Sequence, residues 1–259
     1  LSDEEHFEVY KFAKSLGLDF VETLCAKGCL SLLKLFTPDK LKVASRDLTN
    51  LPLLAAMAET KIPIILSTGM CTIDEIHQAV DIILKYEMPE NLIILHCNTE
   101  YPTPDKDVNL SGIDTLHKEF PGIQIGFSDH SVGYVAAIGA CMKDICCIEK
   151  HFTLDKNLPG PDHKASATPD ELKALCENVR RIEVIAGEGG KRVTESERRN
   201  INIARKSIVA RCAIKKGDLF TEENITCKRP GNGISPMEWY KVLGTAAVRD
   251  FEEDELIER

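Results

Sequence analysis

The sequence predicts an α/β fold of repeated β/α units with parallel strands, followed by a small second domain. Short, nearly continuous apolar runs such as Ile64-Ile65-Leu66 and Leu92-Ile93-Ile94-Leu95 read as strands buried on both faces. These runs alternate with stretches of helical periodicity. Polar residues cluster directly after the strand ends (Thr23, Ser45, Ser67, Asn98, Ser128, His151), where the catalytic groups of a (β/α)8 barrel collect. Repeated βα units also fit a doubly wound sheet. No Gly-rich phosphate fingerprint follows a strand, which weakens the dinucleotide-binding form of that alternative. Six strands are legible, two short of a closed barrel, and a break at the front of the chain would explain the difference.

The elements follow from local signals. Ser2 and Glu5 form a capping box that opens a helix over residues 3–16, and a strand follows at 19–24. A short helix at 30–36 leads to a strand at 41–44, and a helix at 51–60 leads to a strand at 63–66. Thr72-x-x-Glu75 caps a helix over 73–86, ahead of a strand at 91–97. A helix at 111–120 precedes a strand at 123–130, a helix-like run at 132–143 and a strand at 145–152. Thr168-Pro169-Asp170-Glu171 then opens a helix over 169–186 with an N-cap, a first-position proline and a closing glutamate. Residues 1–187 therefore read as the catalytic domain. Residues 188–204, polar and charged throughout, read as a linker. Residues 205–259 read as a second domain with a strand at 207–210, a tight turn at 215–218, a short helix from Thr221, a basic loop at 228–233 and a helix capped by Ser235.

Composition narrows the function. The 259 residues suffice for one large domain plus an appendage. A net charge of −9 argues against a nucleic-acid partner, because phosphate backbones need a basic face. The ten cysteines lack the spacing of a secreted disulfide framework, so the expected compartment is the reducing cytoplasm. Cys25-x3-Cys29 reads as two reduced thiols rather than half a zinc site, and the vicinal Cys146-Cys147 pair is expected to point to opposite faces of a strand. No run of about 18 apolar residues is present, so no membrane span is expected. The first residues read as the start of a helix in mid-domain, not as a signal or transit peptide.

Chemistry centres on His130 and His151, which end consecutive parallel strands. Such strands lie roughly 5 Å apart, so the two imidazoles can share one divalent ion with positions left for water or substrate. Asp129 and Glu149 flank them. Histidine with oxygen donors suits Mn²⁺, Co²⁺ or Zn²⁺ better than Mg²⁺. Pro159-Gly160-Pro161-Asp162-His163 is a stiff turn delivering a carboxylate and another imidazole. Lys42, inside a buried strand, needs an anionic partner such as a phosphate or carboxylate. Ser45, Ser67-Thr68-Gly69 and Ser128 offer hydroxyls and backbone N–H groups at successive strand ends, a ring of anion donors. Tyr101 either binds a sugar or polyol or packs on Pro102 and Pro104. Arg229, on a stiff loop, is a clamp for a ligand carbonyl or hydroxyl. His163 is expected to be exposed, and His6, His77 and His117 to sit on solvated helix faces.

Five ordered motifs carry a resemblance to a known family. They are Leu66-Ser67-Thr68-Gly69-Met70, Gly126-Phe127-Ser128-Asp129-His130-Ser131, the run from Ile148 to Lys156, the run from Pro159 to Ser166, and Lys228-Arg229-Pro230-Gly231-Asn232-Gly233. Together they resemble the sialic acid synthase family: N-acetylneuraminate synthases and their legionaminate, pseudaminate and spore-coat relatives. The similarity runs end to end, and the tail resembles that family's antifreeze-like SAF domain. The resemblance implies a (β/α)8 TIM barrel followed by the SAF domain, in a domain-swapped homodimer whose small domain caps the partner's barrel. It implies a metal-dependent transferase that condenses phosphoenolpyruvate with an open-chain N-acetylated hexosamine. That acceptor is N-acetylmannosamine or a diacetylated dideoxy analogue, and the products are a nine-carbon 2-keto sugar acid and phosphate.

His130 and His151 match the metal-binding histidines, with Mn²⁺ implied first and Mg²⁺ or Co²⁺ as alternatives. Thr23, Lys42, Ser45, Ser67 and Ser128 match positions that hold phosphoenolpyruvate. Tyr101 and Asp162 match sugar-binding positions, Glu149 a carboxylate beside the metal, and Arg229 the arginine that reaches across the dimer. There are departures. Thr99 stands where an asparagine is usual, with Asn98 one place earlier; Cys25 replaces a common proline; Ser45-Arg46-Asp47 replaces a Ser-Gly-Glu or Ser-Gly-Asp. The family's opening strands have no counterpart, which implies a barrel lacking its front and a fragment that is inactive alone. A non-catalytic dimerisation or binding fragment is therefore the alternative of a different class. Among enzymes, seven- or eight-carbon keto-acid synthases share the barrel but not the Arg229-bearing tail, and an aldolase acting on pyruvate needs a Schiff-base lysine or another base.

Overall fold

A computed structural model describes residues 1–259, which form two compact units, Leu1–Gly187 and Glu188–Arg259. The first unit opens with helix α1 (Asp3–Ser15), whose capping box is formed as expected: the Ser2 hydroxyl accepts from the Glu5 N–H and the Glu5 carboxylate accepts from the Ser2 N–H. No residue of α1 is fully buried. Its Tyr10 ring instead stacks on Phe36 at 4.6 Å and meets Phe20 edge-on at 5.5 Å, which fastens the helix to the core.

Strand β1 (Val21–Thr23) is followed by a 3₁₀ segment, Lys27–Lys34, and strand β2 (Lys40–Val43). Then come α2 (Leu51–Ala58), β3 (Ile64–Ser67), α3 (Ile73–Ile83), β4 (Leu92–Cys97), the single turn α4 (Asp105–Val108), α5 (Ser111–Glu119) and β5 (Gln124–Asp129). The run at 132–143 breaks into a short α6 (Val135–Ala140) and a 3₁₀ turn at Cys141–Lys143, because Gly133 takes a positive φ of 73° that delays the helix start. Strand β6 (Ile148–Lys150) and helix α7 (Pro169–Ala186) complete the unit.

The six strands form one curled parallel sheet in the order β1-β2-β3-β4-β5-β6. A doubly wound sheet reverses its order at a switch point, whereas this one advances one neighbour at a time as a barrel does. The expected eight-stranded closed barrel is not what the sheet shows. The sheet holds six, and β1 and β6 are its two ends.

Strand alternation sorts the side chains. Leu41, Val43, Ile64, Leu66, Leu92, Ile94, Ile125 and Phe127 join Leu54, Met57, Ile83 and Leu116 in a core between sheet and helices. Each large side chain fully buried there contributes about 1.5–3 kcal/mol. The residues between them, Lys42, Ser67, Cys97, Ser128 and Glu149, belong to the opposite face.

In the second unit, α8 (Glu195–Ala204) precedes an antiparallel pair, β7 (Ser207–Ala210) and β8 (Ile225–Lys228), then a 3₁₀ turn at Pro236–Glu238 and α9 (Trp239–Val242). Its core is Ile208, Ile214, Phe220, Ile225, Val242, Phe251 and Ile257. Two expectations change here. The stretch at 188–204 is not simply a linker, since it contains α8. That helix buries none of its residues, so no apolar stripe marks it, but Thr194 and Glu197 form a capping box. The short helix expected from Thr221 is a turn. The Asn224 side-chain oxygen accepts from the Thr221 N–H at 2.7 Å, and β8 begins directly after it.

Candidate active site at the strand C-termini

One cavity of about 640 Å³ opens at the C-terminal ends of the strands. Eleven of the residues singled out from sequence line it: Thr23, Lys42, Ser45, Ser67, Thr99, Tyr101, Ser128, His130, Glu149, His151 and Asp162. Strand register assembles them. Thr23 on β1 stands beside Lys42 on β2, and Ser128 on β5 beside Glu149 on β6.

The anion side is built around Lys42. Its ammonium is buried, 3.4 Å from the Glu149 carboxylate and 3.3 Å from the Val43 carbonyl. The other oxygen of Glu149 accepts from the Ser128 hydroxyl at 2.8 Å. The Ser45 hydroxyl accepts from the Gly69 N–H at 2.9 Å. Ser67 presents a buried hydroxyl that no protein group bonds, a donor free for a ligand. Thr68, expected within this ring, turns away and donates to the Leu95 carbonyl at 2.8 Å.

Three rings form the other side. Tyr101 packs on His130 with centroids 4.1 Å apart and meets His151 edge-on at 5.3 Å, and the two imidazole centroids are 5.1 Å apart. The alternative of Tyr101 as a proline-packing residue therefore gives way to a place in the cavity. Burial holds its phenol up at about 12, so it is a neutral donor at physiological pH. His130 lies one residue beyond β5. Its Nδ1 is 2.5 Å from the Asn98 carbonyl, which can only accept, so Nδ1 carries the proton and Nε2 the lone pair. Burial pushes the His130 pKa down, opposed by that bond, and the ring is neutral. Asp162 reaches to 3.8 Å from His151 Nδ1.

The two imidazoles, His130 with its Nε2 lone pair free, are the side chains here that could share a divalent ion, as a two-donor set. No group of three or more histidine, cysteine, aspartate or glutamate side chains converges on one point, so Glu149 and Asp162 do not complete that set in this arrangement. Asp129, expected beside the metal pair, instead forms a buried ion pair with Lys150 at 3.0 Å and accepts from the Ser131 N–H and hydroxyl at 2.8 and 2.7 Å. Asp129 and Lys150 are register partners, and each precedes its histidine, so this pair fixes the spacing of His130 and His151. Sequence reading missed Lys150; the signal was a lysine one place before His151 and opposite an aspartate.

Asn98 does not face the cavity. Its amide oxygen accepts from the Glu100 N–H at 2.8 Å and its amide nitrogen donates to the Asp107 carbonyl at 3.3 Å, which leaves Thr99 as the lining residue. Arg229 is exposed in the second unit, directly after β8. Arg46, noted only as a departure, also lines the cavity. Other histidines are less free than expected. His163 contacts the Thr153 hydroxyl at 2.8 Å, His6 the Glu22 carboxylate at 3.3 Å, His77 the Glu119 carboxylate at 3.5 Å, and His117 the Lys143 carbonyl at 3.0 Å. The Cys146 and Cys147 sulfurs do not point apart. They approach to 3.8 Å, because the backbone bends at Cys146 before β6 begins.

Residues 1–191 match the NeuB family model and residues 205–258 the SAF domain. The chain is 44% identical over 253 residues to the N,N'-diacetyllegionaminic acid synthase of Campylobacter jejuni, covering 97% of this chain and 75% of that protein. It is 38% identical to the enzyme of the same name from Legionella pneumophila, covering 95% of this chain and 69% of that protein. Among solved structures, N-acetylneuraminic acid synthetase from Leptospira borgpetersenii superposes with a TM-score of 0.71 at 35% identity, over 78% of this chain and 70% of that one. This chain belongs to the NeuB family of sialic acid synthase-like enzymes and carries a SAF domain after the family region.

Proposed function

We propose that this cavity condenses phosphoenolpyruvate with an open-chain N-acetylated hexosamine, either N-acetylmannosamine or a diacetylated dideoxy analogue, to give a nine-carbon 2-keto sugar acid and phosphate. The observation that carries this reading is the pairing, in one cavity, of an anion cradle (the buried Lys42, Ser67 and Ser128, with the half-buried Ser45) with a polar ring cluster (Tyr101, His130, His151). The first suits the phosphate and carboxylate of phosphoenolpyruvate, the second a polyhydroxylated aldehyde. Family membership supports the reaction class, and the names of the Campylobacter and Legionella relatives support the diacetylated acceptor.

The chain's residues do most of the work by positioning. Lys42 and the serine hydroxyls hold phosphoenolpyruvate so that its C3 carbon faces the sugar aldehyde. The neutral Tyr101 phenol and the Asp162 carboxylate orient the sugar hydroxyls. Attack by C3 forms the new carbon–carbon bond and leaves positive charge at C2. Glu149, the carboxylate next to Lys42, opposes that charge electrostatically. Water adds at C2, and the tetrahedral adduct loses phosphate. A divalent ion held by His130 and His151, Mn²⁺ first with Mg²⁺ or Co²⁺ as alternatives, would supply Lewis-acid polarisation of the aldehyde. In the same reading the six-stranded sheet is part of an eight-stranded (β/α)8 barrel. Two copies pair so that Arg229 of one serves the cavity of the other, and the enzyme works in the cytoplasm.

A coupled phosphate-release assay with Mn²⁺, phosphoenolpyruvate and each acceptor sugar tests the reaction, with mass spectrometry of the product. Phosphate and nine-carbon keto acid are expected in equal amounts. No phosphate release with phosphoenolpyruvate, together with keto-acid formation when pyruvate replaces it, would point to an aldolase and exclude this reading.

A further inference from the structure

We infer that Ser207 is a positioning residue for acceptor binding: it clasps the loop that carries Arg229 and so fixes the backbone from which that guanidinium reaches a ligand oxygen. This rests on the proposed reading in which Arg229 of one copy serves the cavity of the other.

Ser207 opens β7 and is the register partner of Lys228, the last residue of β8. It is fully buried, and the rest of its strand is apolar. Its hydroxyl is used in both directions across the loop that follows β8. It donates to the Pro230 carbonyl at 2.6 Å and accepts from the Gly233 N–H at 2.8 Å. A bond from the Ile208 N–H to the Ile234 carbonyl, at 2.8 Å, closes the far end. Helix α8 holds the middle, where the Gly231 N–H donates to the Asn202 carbonyl at 2.7 Å. The approach there is so close that a Cβ on Gly231 would lie 2.7 Å from Arg205 Cβ and 3.1 Å from the Ile201 carbonyl oxygen.

So much anchoring has little packing to protect. Arg229, Pro230, Asn232 and Gly233 are exposed, and none of them belongs to the apolar core of this unit. What the anchoring does fix is the backbone of Arg229, between Lys228 in the strand ladder and Pro230 on the Ser207 hydroxyl. The two cations here are used differently. Lys228 is paired with the Asp254 carboxylate, whereas the Arg229 guanidinium has no hydrogen bond or ion pair within the chain, so its N–H donors are left for a ligand. A long side chain on a mobile loop loses entropy when it binds, and a fixed backbone lowers that cost. Removing the Ser207 hydroxyl orphans the Pro230 carbonyl and the Gly233 N–H together, which frees the loop on the side where Arg229 is attached.

Calorimetric titration of open-chain alditols onto the full chain, with saturating phosphoenolpyruvate, tests the inference as a double-mutant cycle without requiring turnover. The probes are the alditols of N-acetylmannosamine and of a diacetamido dideoxy hexose, and the tighter binder is used throughout. Arg229→Ala should weaken it at least about tenfold, the loss of a hydrogen bond from a charged donor. Ser207→Ala should weaken it about three- to tenfold with phosphoenolpyruvate affinity unchanged, and should have no further effect in the Arg229→Ala background. A serine that served only the fold would lower affinity alike in both backgrounds. Gly231→Ala displaces the loop from α8 while leaving Ser207 intact, and its effect should depend on Arg229 in the same way. It replaces Ser207→Ala in the cycle if that variant does not fold, as read by the fluorescence of Trp239, which packs on the core of the same unit. No loss in folded Ser207→Ala, a loss that persists in the Arg229→Ala background, or a loss that falls on phosphoenolpyruvate would each overturn the inference. So would a wild type that binds phosphoenolpyruvate but neither alditol, or an Arg229→Ala variant that binds the alditol as wild type does. If wild type binds no phosphoenolpyruvate, the underlying reading of the cavity fails instead.

Discussion

Lys150→Met removes one partner of the ion pair that spaces the two site histidines. The Lys150 side chain is 3% exposed and that of Asp129 1%, with 3.0 Å between ammonium and carboxylate. Lys150 also donates to the Ser131 carbonyl, and Asp129 keeps two bonds from Ser131. The substitution therefore leaves a buried carboxylate with hydrogen bonds but no cation, which costs about 3–5 kcal/mol. For a unit the size of Leu1–Gly187, each kcal/mol corresponds to about 2–4 °C, so Tm should fall by about 6–20 °C. Urea unfolding followed by far-UV circular dichroism is the assay, because the single tryptophan, Trp239, lies in the second unit. The double variant Asp129→Leu/Lys150→Met buries neither charge, and it should be at least about 2 kcal/mol more stable than the sum of the single losses predicts. A loss below about 1 kcal/mol for Lys150→Met, or strict additivity, would refute the reasoning.

Further outcomes follow from the same geometry. His130→Ala and His151→Ala should each abolish tight Mn²⁺ binding measured by electron paramagnetic resonance, whereas His163→Ala should leave it unchanged. Gly69→Ala should weaken phosphoenolpyruvate binding in a calorimetric titration, since a Cβ there would lie 2.5 Å from Thr99 Cγ2 and 2.9 Å from the Ser45 hydroxyl and must displace one of them. Cys146 should alkylate before Cys147 as pH is raised from 6, read by peptide mass spectrometry. The hydrogen bond from Cys147 lowers the Cys146 pKa, so its thiolate is populated at lower pH, while the same bond and burial raise Cys147. Cys147→Ala should slow the Cys146 reaction.

Much of this was legible in the sequence, for identifiable reasons. The capping boxes at Ser2, Thr72 and Thr168 are local, and all three form. The buried strands announce themselves through continuous apolar runs, and the single polar residues that interrupt or end them face the cavity: Lys42, Ser67, Ser128, Glu149. What was illegible depends on long-range or non-periodic effects. Helix α8 has no apolar stripe, so its periodicity is silent. Asp129 looked like a metal-side carboxylate because a sequence cannot show that Lys150 stands opposite it in register. Asn98 looked like a ligand contact, but its amide is used by its own loop. The contact between Arg46 and Cys25 is of the same kind, since the two are brought together only by the pairing of β1 with β2.

The central claim is that the cavity holds phosphoenolpyruvate on Lys42. Calorimetric titration of phosphoenolpyruvate onto wild type and Lys42→Met measures it most directly. Loss of one charge-assisted phosphate contact should weaken binding by about 1.5–3 kcal/mol, at least tenfold in Kd, with the fold retained by circular dichroism. Equal affinity of the two proteins for phosphoenolpyruvate, or no binding by the wild type, would contradict the account.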